Sequence, residues 1–434
     1  MPRRMSRLHK PLAAMQNESN TPGQSVRRRP TDQIRPALLH DSRQSLAIAL
    51  MLTLLLPTAF GQTVRVLVER VGQWPDQGGV AGFGVAVVGS YAYLASGTNG
   101  LHVVDVSDPT RPRRVGGYDT PGSACAVAVT GHYAYVADQT GGLQVIDVSD
   151  PANPQRVGSY RSGVVWDVAV SGQYAYAASE AAGLQVIDVS DPTRPRRVGG
   201  YDTKGKAWRV AVSGQYAYVA DDTAGLQIID VSDPVNPQQV GGYDTRGSAL
   251  GVAVSGSYAY VADGISGLQV IDVSDPVNPQ LVGWQGTFGL AVNVAVRDPY
   301  VYVAVGHGLL QVFDVSNPAR PWPVGEFWGV GTGWFESVVL SGEYVYAANW
   351  IFGLQIFRIR PASPRIDGPL RLSAEGFQVW LYAPVVGTYR LEFSEDLQFW
   401  ESLTTLSNVI GRVEFWDRSA TGAVQRFYRA VQIR

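Results

Sequence analysis

Cysteine, lysine and histidine are scarce in this chain of 434 residues. Cys125 is the only cysteine, which excludes an intrachain disulfide and any redox pair or metal site built from cysteines. We interpret it as a small buried apolar residue. The five histidines include no pair with metal-ligand spacing, and no nucleophile-elbow, phosphate-loop or calcium-loop motif occurs. The sequence therefore predicts neither a metal ion nor a cofactor.

Long apolar runs are also missing. The longest candidate, Leu46–Leu56 (LAIALMLTLLL), is too short to span a bilayer comfortably. Small residues at Ala59 and Gly61 follow it, a pattern typical of a secretory signal cut after Gly61. We expect residues 1–61 to be a basic leader plus signal peptide, with an uncleaved membrane anchor as the alternative. The mature protein is then secreted or held at the cell envelope or surface, without a membrane span.

Basic charge is concentrated in the leader. Residues 1–44 hold nine of the 35 Arg and Lys residues and three of the 37 acidic ones, so the remainder carries 26 basic and 34 acidic residues, a net charge of −8. Such a balance offers no basic surface to nucleic acid. Partners are instead expected to be a protein or a glycan, and the chain is expected to be monomeric.

A segment that occurs seven times dominates the rest of the sequence. Its copies are GLHVVDVSDP from Gly100, GLQVIDVSDP from Gly142, Gly183 and Gly267, GLQIIDVSDP from Gly225, LLQVFDVSNP from Leu309 and the degraded GLQIFRIRP from Gly353. The aspartates at their centres are 42, 41, 42, 42 and 42 residues apart, and Arg358 takes the seventh place. A period near 40 with strand-like segments predicts a β-propeller with four strands per blade.

A second recurrent segment shows how the ring closes. Six copies follow a repeat (RVGGY, RVGSY, RVGGY, QVGGY, LVGWQ and PVGEF), and one, RVGQW at Arg70, precedes the first repeat. We therefore predict seven blades, with Val66–Trp74 supplying the outer strand of the last blade beside Gly353–Ile359. Such closure removes two exposed sheet edges.

GLQVIDVSDP, with YAYVAD before it and PxxVGGY after it, resembles the LVIVD repeat of bacterial and archaeal exported proteins. The resemblance covers about residues 64–360. It implies a β-propeller on an exported or surface protein and implies no defined reaction. Two departures from the pattern are Leu309 in place of the leading glycine, and the loss of the aspartate and the Ser-Asp-Pro turn in the seventh unit.

The predicted fold is thus all-β: a seven-bladed propeller at 62–362, followed by a small β-sandwich-like module at 363–434. Alternating runs such as Phe377–Leu381 and Tyr389–Phe393 predict the strands of that module. It resembles short β-rich modules that end many exported bacterial proteins, where sorting or surface attachment is the usual suggestion.

The repeated aspartates are chemically tempting, but a residue kept in six blades serves a need of every blade. We interpret them, with the Ser-Asp-Pro sequences that follow, as turn-forming residues. Function is better sought where the blades differ, on the loops that enter the first strands and those between second and third strands.

Aligned columns at that end mix aromatic and charged side chains, the composition of a concave binding site. The column before the first strands is Phe83, Cys125, Trp166, Trp208, Leu250, Val292 and Glu336, and the next is Gly84, Ala126, Asp167, Arg209, Gly251, Asn293 and Ser337. The loops add Asp138, Glu180, Asp221, Asp222, Asp263, His307 and Trp350. The candidate ligand-binding residues are Trp166, Asp167, Trp208, Arg209, Asn293, His307, Trp334, Glu336 and Trp350. Alternatively, Trp166, Trp208 and Trp334 plug the channel.

Two functions remain open on the sequence. The first is a non-enzymatic scaffold that binds a protein, a glycan or an envelope component at the channel mouth. The alternative is a hydrolase or lyase acting on a glycan or lactone, with two carboxylates such as Asp167 and Glu336 as acid and base. Lys204 and Lys206 form a local positive spot, which suits either an anionic ligand or a solvated loop.

Overall fold

The computed structural model describes residues 66–75, 79–161, 163–329, 333–361, 365–373, 376–394, 398–417 and 427–433. The predicted leader and signal peptide at 1–61 lie outside these ranges. Within them, no helix has the length and apolar character required to cross a membrane.

Seven four-stranded antiparallel sheets, the blades, follow one another along the chain after strand β1 (Val66–Trp74). Blades 1 to 3 consist of β2 (Gly84–Val88), β3 (Tyr91–Ala95), β4 (Leu101–Asp105), β5 (Arg113–Tyr118), β6 (Ala126–Thr130), β7 (Tyr133–Ala137), β8 (Leu143–Asp147), β9 (Gln155–Tyr160), β10 (Asp167–Ser171), β11 (Tyr174–Ala178), β12 (Leu184–Asp188) and β13 (Arg196–Tyr201). Blades 4 to 6 consist of β14 (Arg209–Ser213), β15 (Tyr216–Ala220), β16 (Leu226–Asp230), β17 (Gln238–Tyr243), β18 (Gly251–Ser255), β19 (Tyr258–Ala262), β20 (Leu268–Asp272), β21 (Gln280–Gln285), β22 (Ala291–Arg297), β23 (Tyr300–Val305), β24 (Leu309–Asp314) and β25 (Trp322–Trp328).

Blade 7 joins the two ends of the propeller. It contains β26 (Phe335–Ser341), β27 (Tyr344–Asn349) and β28 (Gly353–Pro361), and β1 completes it as the fourth strand. The register of β1 against β28 pairs Val68 with Ile359 and Trp74 with Leu354. The prediction of seven blades closed by the N-terminal strand is therefore confirmed.

The hydrophobic core is divided into seven clusters, one between each pair of neighbouring blades. Between blades 1 and 2, for example, Tyr93 and Val103 pack against Ala134 and Ile146. Because each blade is covered on both faces, its second and third strands are buried almost throughout and show no polar alternation. The innermost strands meet around a central channel, and β2 contacts β26 to complete the circle.

A close contact explains why two sequence motifs recur together. A Cβ atom on Gly158 of an outer strand would lie 2.2 Å from the Pro192 carbonyl oxygen in the Ser-Asp-Pro turn of the next blade. On Gly72 of β1 it would lie 1.9 Å from the Pro109 oxygen of blade 1. Only glycine fits at such a separation. The glycine of RVGxY and the proline of DVSDP are thus the two halves of one contact between blades.

The end of the propeller that carries these Ser-Asp-Pro turns is called the turn end. There the central aspartate of each of the first six repeats accepts the backbone N–H of the serine two residues later, at 2.8–3.0 Å. At Asp188, hydrogen bonds from the Ser190 hydroxyl and amide hold the carboxyl pKa below its ordinary value. The turn-forming role predicted for these aspartates is confirmed. The Ser190 amide lies at the exposed surface. Water can therefore solvate this amide if the aspartate is removed.

The C-terminal module consists of β29 (Arg365–Ser373), β30 (Gly376–Ser394), β31 (Glu401–Asp417) and β32 (Phe427–Ile433) in one antiparallel sheet. Strand β30 pairs with β31 over most of its length, with β29 over its first part and with β32 over its last. Leu381, Tyr389 and Leu391 form its buried centre. Burial acts to raise the pKa of Glu392, but hydrogen bonds from Arg429 and Arg390 outweigh it and hold that pKa below its ordinary value. The predicted β-rich module is confirmed.

Candidate functional site

The end opposite the turn end, called here the mouth, is where the chain enters the first strand of each blade. Sheet register confirms the alignment of the blades at this end. In each blade the second column residue pairs with an alanine of the second strand, as Asp167 does with Ala178, Arg209 with Ala220 and Ser337 with Ala348. Equivalent positions of seven blades therefore surround one opening.

A cavity of about 350 Å³ lies at the mouth. Most of its wall is aromatic or aliphatic: Phe83, Trp166, Trp208, Trp334, Trp350, Cys125, Leu250, Leu290 and Val292. Its polar side chains are Gln139, Arg209 and Glu336. Six of the nine candidate residues therefore border this cavity, namely Trp166, Trp208, Arg209, Trp334, Glu336 and Trp350.

The aromatic rings form two contacting groups. Trp166 and Trp208 meet edge to face with ring centroids 4.9 Å apart, and their indole N–H groups are buried without an acceptor among the described residues. Trp334 is stacked with Trp350 at 6.0 Å, and Trp350 also contacts Phe83 at 5.9 Å. These rings border the cavity and leave its space free.

His307 does not border the cavity directly. It occupies the loop between β23 and β24 with a positive φ of 67°, and its imidazole packs on Trp334 at 5.2 Å. It is exposed, and it contacts the site through Trp334.

Arg209 lies across the opening from blade 4 to blade 7. Its guanidinium donates to the backbone carbonyl of Glu336 at 2.8 Å, and it lies 3.9 Å from the Asp167 carboxylate of blade 3. The side chains of Arg209 and Asp167 are only 15% and 13% exposed. The group that spans the channel is thus an arginine held on both sides, beneath the tryptophans.

The Asp167 carboxylate has a structural role, because it links neighbouring inner strands. Its carboxylate accepts the backbone N–H of Val210 at 2.9 Å, in the neighbouring inner strand. Burial raises its pKa, and the positive charge of Arg209 offsets part of that rise.

Glu336 differs from Asp167 because its carboxyl makes no hydrogen bond within the described ranges. Burial raises the pKa of this carboxyl to about 7, against the opposing effect of Arg209. A carboxyl with that pKa is partly protonated at neutral pH, so small changes of environment switch its charge.

Asn293 belongs to a second space. A cavity of about 430 Å³ occupies the central channel, and Asp167, Arg209, Asn293 and Ser337 border it beside the valines of the inner strands. Arg209 borders both cavities and separates them. The structure therefore divides the nine candidates between the mouth cavity, the channel and a supporting position.

Comparison with known proteins settles the family. The family model of the LVIVD repeat matches residues 79–120, 121–162, 162–203, 204–245, 246–287, 288–327 and 332–363. The chain belongs to the LVIVD-repeat family. Each of the first six matches contains the four strands of one blade, and the seventh contains the three strands of blade 7 that β1 completes.

Other comparisons add little to this LVIVD propeller. No curated protein matches the chain. Among solved structures, the crystal structure of the computationally designed Ika8 protein is similar with a TM-score of 0.48 and 11% sequence identity, over 84% of this chain and 100% of that one. This likeness is too distant to carry an argument.

Three loop carboxylates that the sequence placed beside the site, Asp138, Asp221 and Asp263, are instead buried supports of the LVIVD propeller. Each accepts a threonine hydroxyl at 2.6 Å and a glycine N–H at 2.8–2.9 Å from the loop that enters its blade. Burial raises the pKa of all three, against these hydrogen bonds. They fasten the entering loop to the loop between second and third strands, so they are unavailable to a ligand.

A sequence signal for these supports exists. The threonine lies 18 residues before the aspartate and the glycine 16 before it, in the segments YDTPG, YDTKG and YDTRG. Blade 3 has YRSG in place of YDTxG and carries Ser179 where the aspartate would be. Blade 3 thus lacks both the threonine and the aspartate, as expected of two residues that contact each other.

One of the two lysines of the predicted positive spot is paired with a carboxylate, and the other, Lys204, is exposed. Lys206 lies 3.6 Å from the Glu180 carboxylate, and its side chain is half exposed. Arg209 is already engaged by Asp167 and the Glu336 carbonyl. The solvated-loop interpretation of Lys206 therefore fits the geometry better than an anion site.

Proposed function

We propose that this LVIVD propeller is a binding protein that takes its ligand in the aromatic cavity at the mouth. The supporting observation is the cavity itself, about 350 Å³ bounded by five aromatic rings at the end where the blades differ. Indole faces bind apolar and ring-shaped groups without directional hydrogen bonds. The turn end offers a ligand only repeated, nearly identical surfaces.

The signal-like segment supports a place of action outside the cytoplasm, in secretion or at the cell envelope. Leu46–Leu56 and the small residues before Gly61 carry that part of the proposal. A protein, a glycan or another envelope component would then present the recognised group to the mouth.

Catalysis by a hydrolase or lyase is less well supported by the site. The two carboxylates proposed as acid and base border different cavities, Glu336 the mouth and Asp167 the channel. Asp167 is also held by Val210 and Arg209. Burial raises the pKa of Glu336 to about 7, which suits a general acid, but glycoside chemistry needs a pair of carboxyls that face one space.

A panel of neutral saccharides, organic ammonium ions and carboxylates, titrated into the full chain, tests the proposal. Binding is read from tryptophan fluorescence and from the shift in melting temperature. We expect Trp334→Ala to weaken binding of any positive ligand at least tenfold, because it removes one ring of the cavity wall.

The matched control is Trp322→Ala, an exposed tryptophan that begins β25 at the turn end. It should leave binding unchanged. A ligand insensitive to Trp334→Ala, or one that protects the Ser-Asp-Pro turns or residues 365–433, would show that the mouth is not the binding site.

A further inference from the structure

The charges at the mouth do not balance. Arg209 and Asp167 form a pair, and beside them the carboxyl of Glu336 has no counter-ion of its own. Cys125 stays uncharged, because burial raises the pKa of its thiol to about 12. When Glu336 is ionised, the buried group therefore carries one excess negative charge.

The cavity wall next to that charge is aromatic. Trp334 precedes Glu336 by two residues, and its ring is stacked with Trp350 across the loop, where a backbone hydrogen bond from Trp350 to Trp334 holds the two segments together at 3.0 Å. Aromatic faces attract cations through the ring quadrupole, more strongly where water is excluded. A carboxylate beside such faces is the arrangement that suits an alkylated ammonium group.

We propose that the mouth cavity binds a small organic cation, an ammonium ion with alkyl substituents, whose substituents contact Trp334 and Trp350 and whose charge pairs with the Glu336 carboxylate. This inference rests on the proposed binding function and names the ligand class of the same cavity. The bound cation completes the charge balance that Arg209, Asp167 and Glu336 leave open.

Other ligand classes fit less well. A buried saccharide presents several hydroxyl groups that each require a partner, and the described polar side chains of the cavity wall are only Gln139, Glu336 and the already engaged Arg209. An anion would face the Glu336 carboxyl, and Arg209, the one basic residue among the described residues that border the cavity, is already engaged. A cation needs few directional partners and uses the aromatic wall directly.

The test titrates choline into the full chain by calorimetry, with 3,3-dimethylbutan-1-ol as its uncharged isostere. Because the Glu336 pKa is about 7, its ionised fraction rises from about a tenth at pH 6 to about nine tenths at pH 8. We expect choline to bind about tenfold more tightly at pH 8 than at pH 6. The isostere should bind about tenfold more weakly than choline at pH 8, without a pH trend.

Single substitutions show which group causes the pH dependence of choline binding. Among the described residues, the titratable groups in or next to the cavity wall are Glu336, Arg209, Asp167, Asp138, Cys125 and His307. Glu336→Gln should weaken choline binding at pH 8 about tenfold and remove the pH trend. His307→Asn should retain the trend, since the imidazole is outside the cavity. Trp350→Ala should weaken binding at both pH values, whereas Trp322→Ala should not. Far-ultraviolet circular dichroism checks that each variant is folded.

Each outcome decides between the two proposals. Equal affinity for choline and its isostere, or a pH trend that survives Glu336→Gln or disappears in His307→Asn, overturns the cation proposal. If choline fails to bind while a neutral panel ligand binds and is lost in Trp334→Ala, the cation proposal fails and the binding function stands. If no panel ligand depends on Trp334, both fail.

Discussion

Both ends of the propeller use aspartate to fix loops, but they use it differently. At the turn end Asp188 accepts an amide only two residues away and remains near the surface. At the mouth Asp221 is fully buried and accepts groups 16 and 18 residues earlier, in the loop that comes from the preceding blade. A turn-end contact is local, so it can be copied in every blade. A mouth contact depends on two loops, so it changes when either loop changes.

The largest effect is expected from removing a mouth support. Asp221→Ala leaves the Thr203 hydroxyl and the Gly205 N–H buried without their acceptor. We expect it to lower the free energy of unfolding by about 2–4 kcal/mol. Urea unfolding measures this loss. A loss of stability smaller than that of Asp188→Ala at the turn end would contradict the distinction between the two ends.

A second variant tests the electrostatic side of the mouth. Because burial raises the folded-state pKa of Glu336 to about 7 from 4.5, the contribution of Glu336 to wild-type stability falls as the pH rises between these values. Glu336→Gln does not ionise, so it should be as stable as wild type near pH 4. Near pH 8.5 it should be more stable by about 1–3 kcal/mol.

Urea unfolding of both proteins at the two pH values gives the comparison. A constant difference between them would mean that the Glu336 carboxyl has the same pKa in the folded and unfolded chains, and its burial at the mouth would then have no electrostatic consequence.

The smallest effect is expected at the turn end. Asp188→Ala removes the acceptor of the Ser190 amide and hydroxyl and an exposed pair with Arg196. Because water can solvate these groups, we expect a loss of only about 0.5–1.5 kcal/mol. The urea midpoint measures it, and binding of any mouth ligand should not change. A ligand lost in this variant with an unchanged midpoint would reassign the column from turn formation to recognition.

The fold was predictable from the sequence because each blade repeats the same local rules. The seven copies of the repeat predicted the number of blades, and the early copy RVGQW predicted that β1 would close the ring. The alignment of repeats also placed Asp167 and Arg209 in one column, which the register confirms.

The details of the site were less accessible, because alignment gives a residue's position within its blade and no distance across the ring. The bond from Arg209 to the Glu336 carbonyl joins residues 127 positions apart in blades on opposite sides of the channel. No period in the sequence encodes it. Asp138, Asp221 and Asp263 were assigned to the site because their loops were correctly placed, whereas their burial depends on the partner loop. The linked YDTxG segments were the available signal.

The closure of blade 7 also fixes an order of events for the growing chain. Gln73 of β1 meets Gln355 of β28, 282 residues later. During synthesis and any later transport, β1 therefore has no partner until the other six blades have been delivered, and its unpaired edge is open to wrong partners. Six blades can form from neighbouring segments, but the seventh requires the contact of greatest sequence separation. We expect the pairing of β1 with β28, which closes the propeller into a ring, to be the last step of its folding.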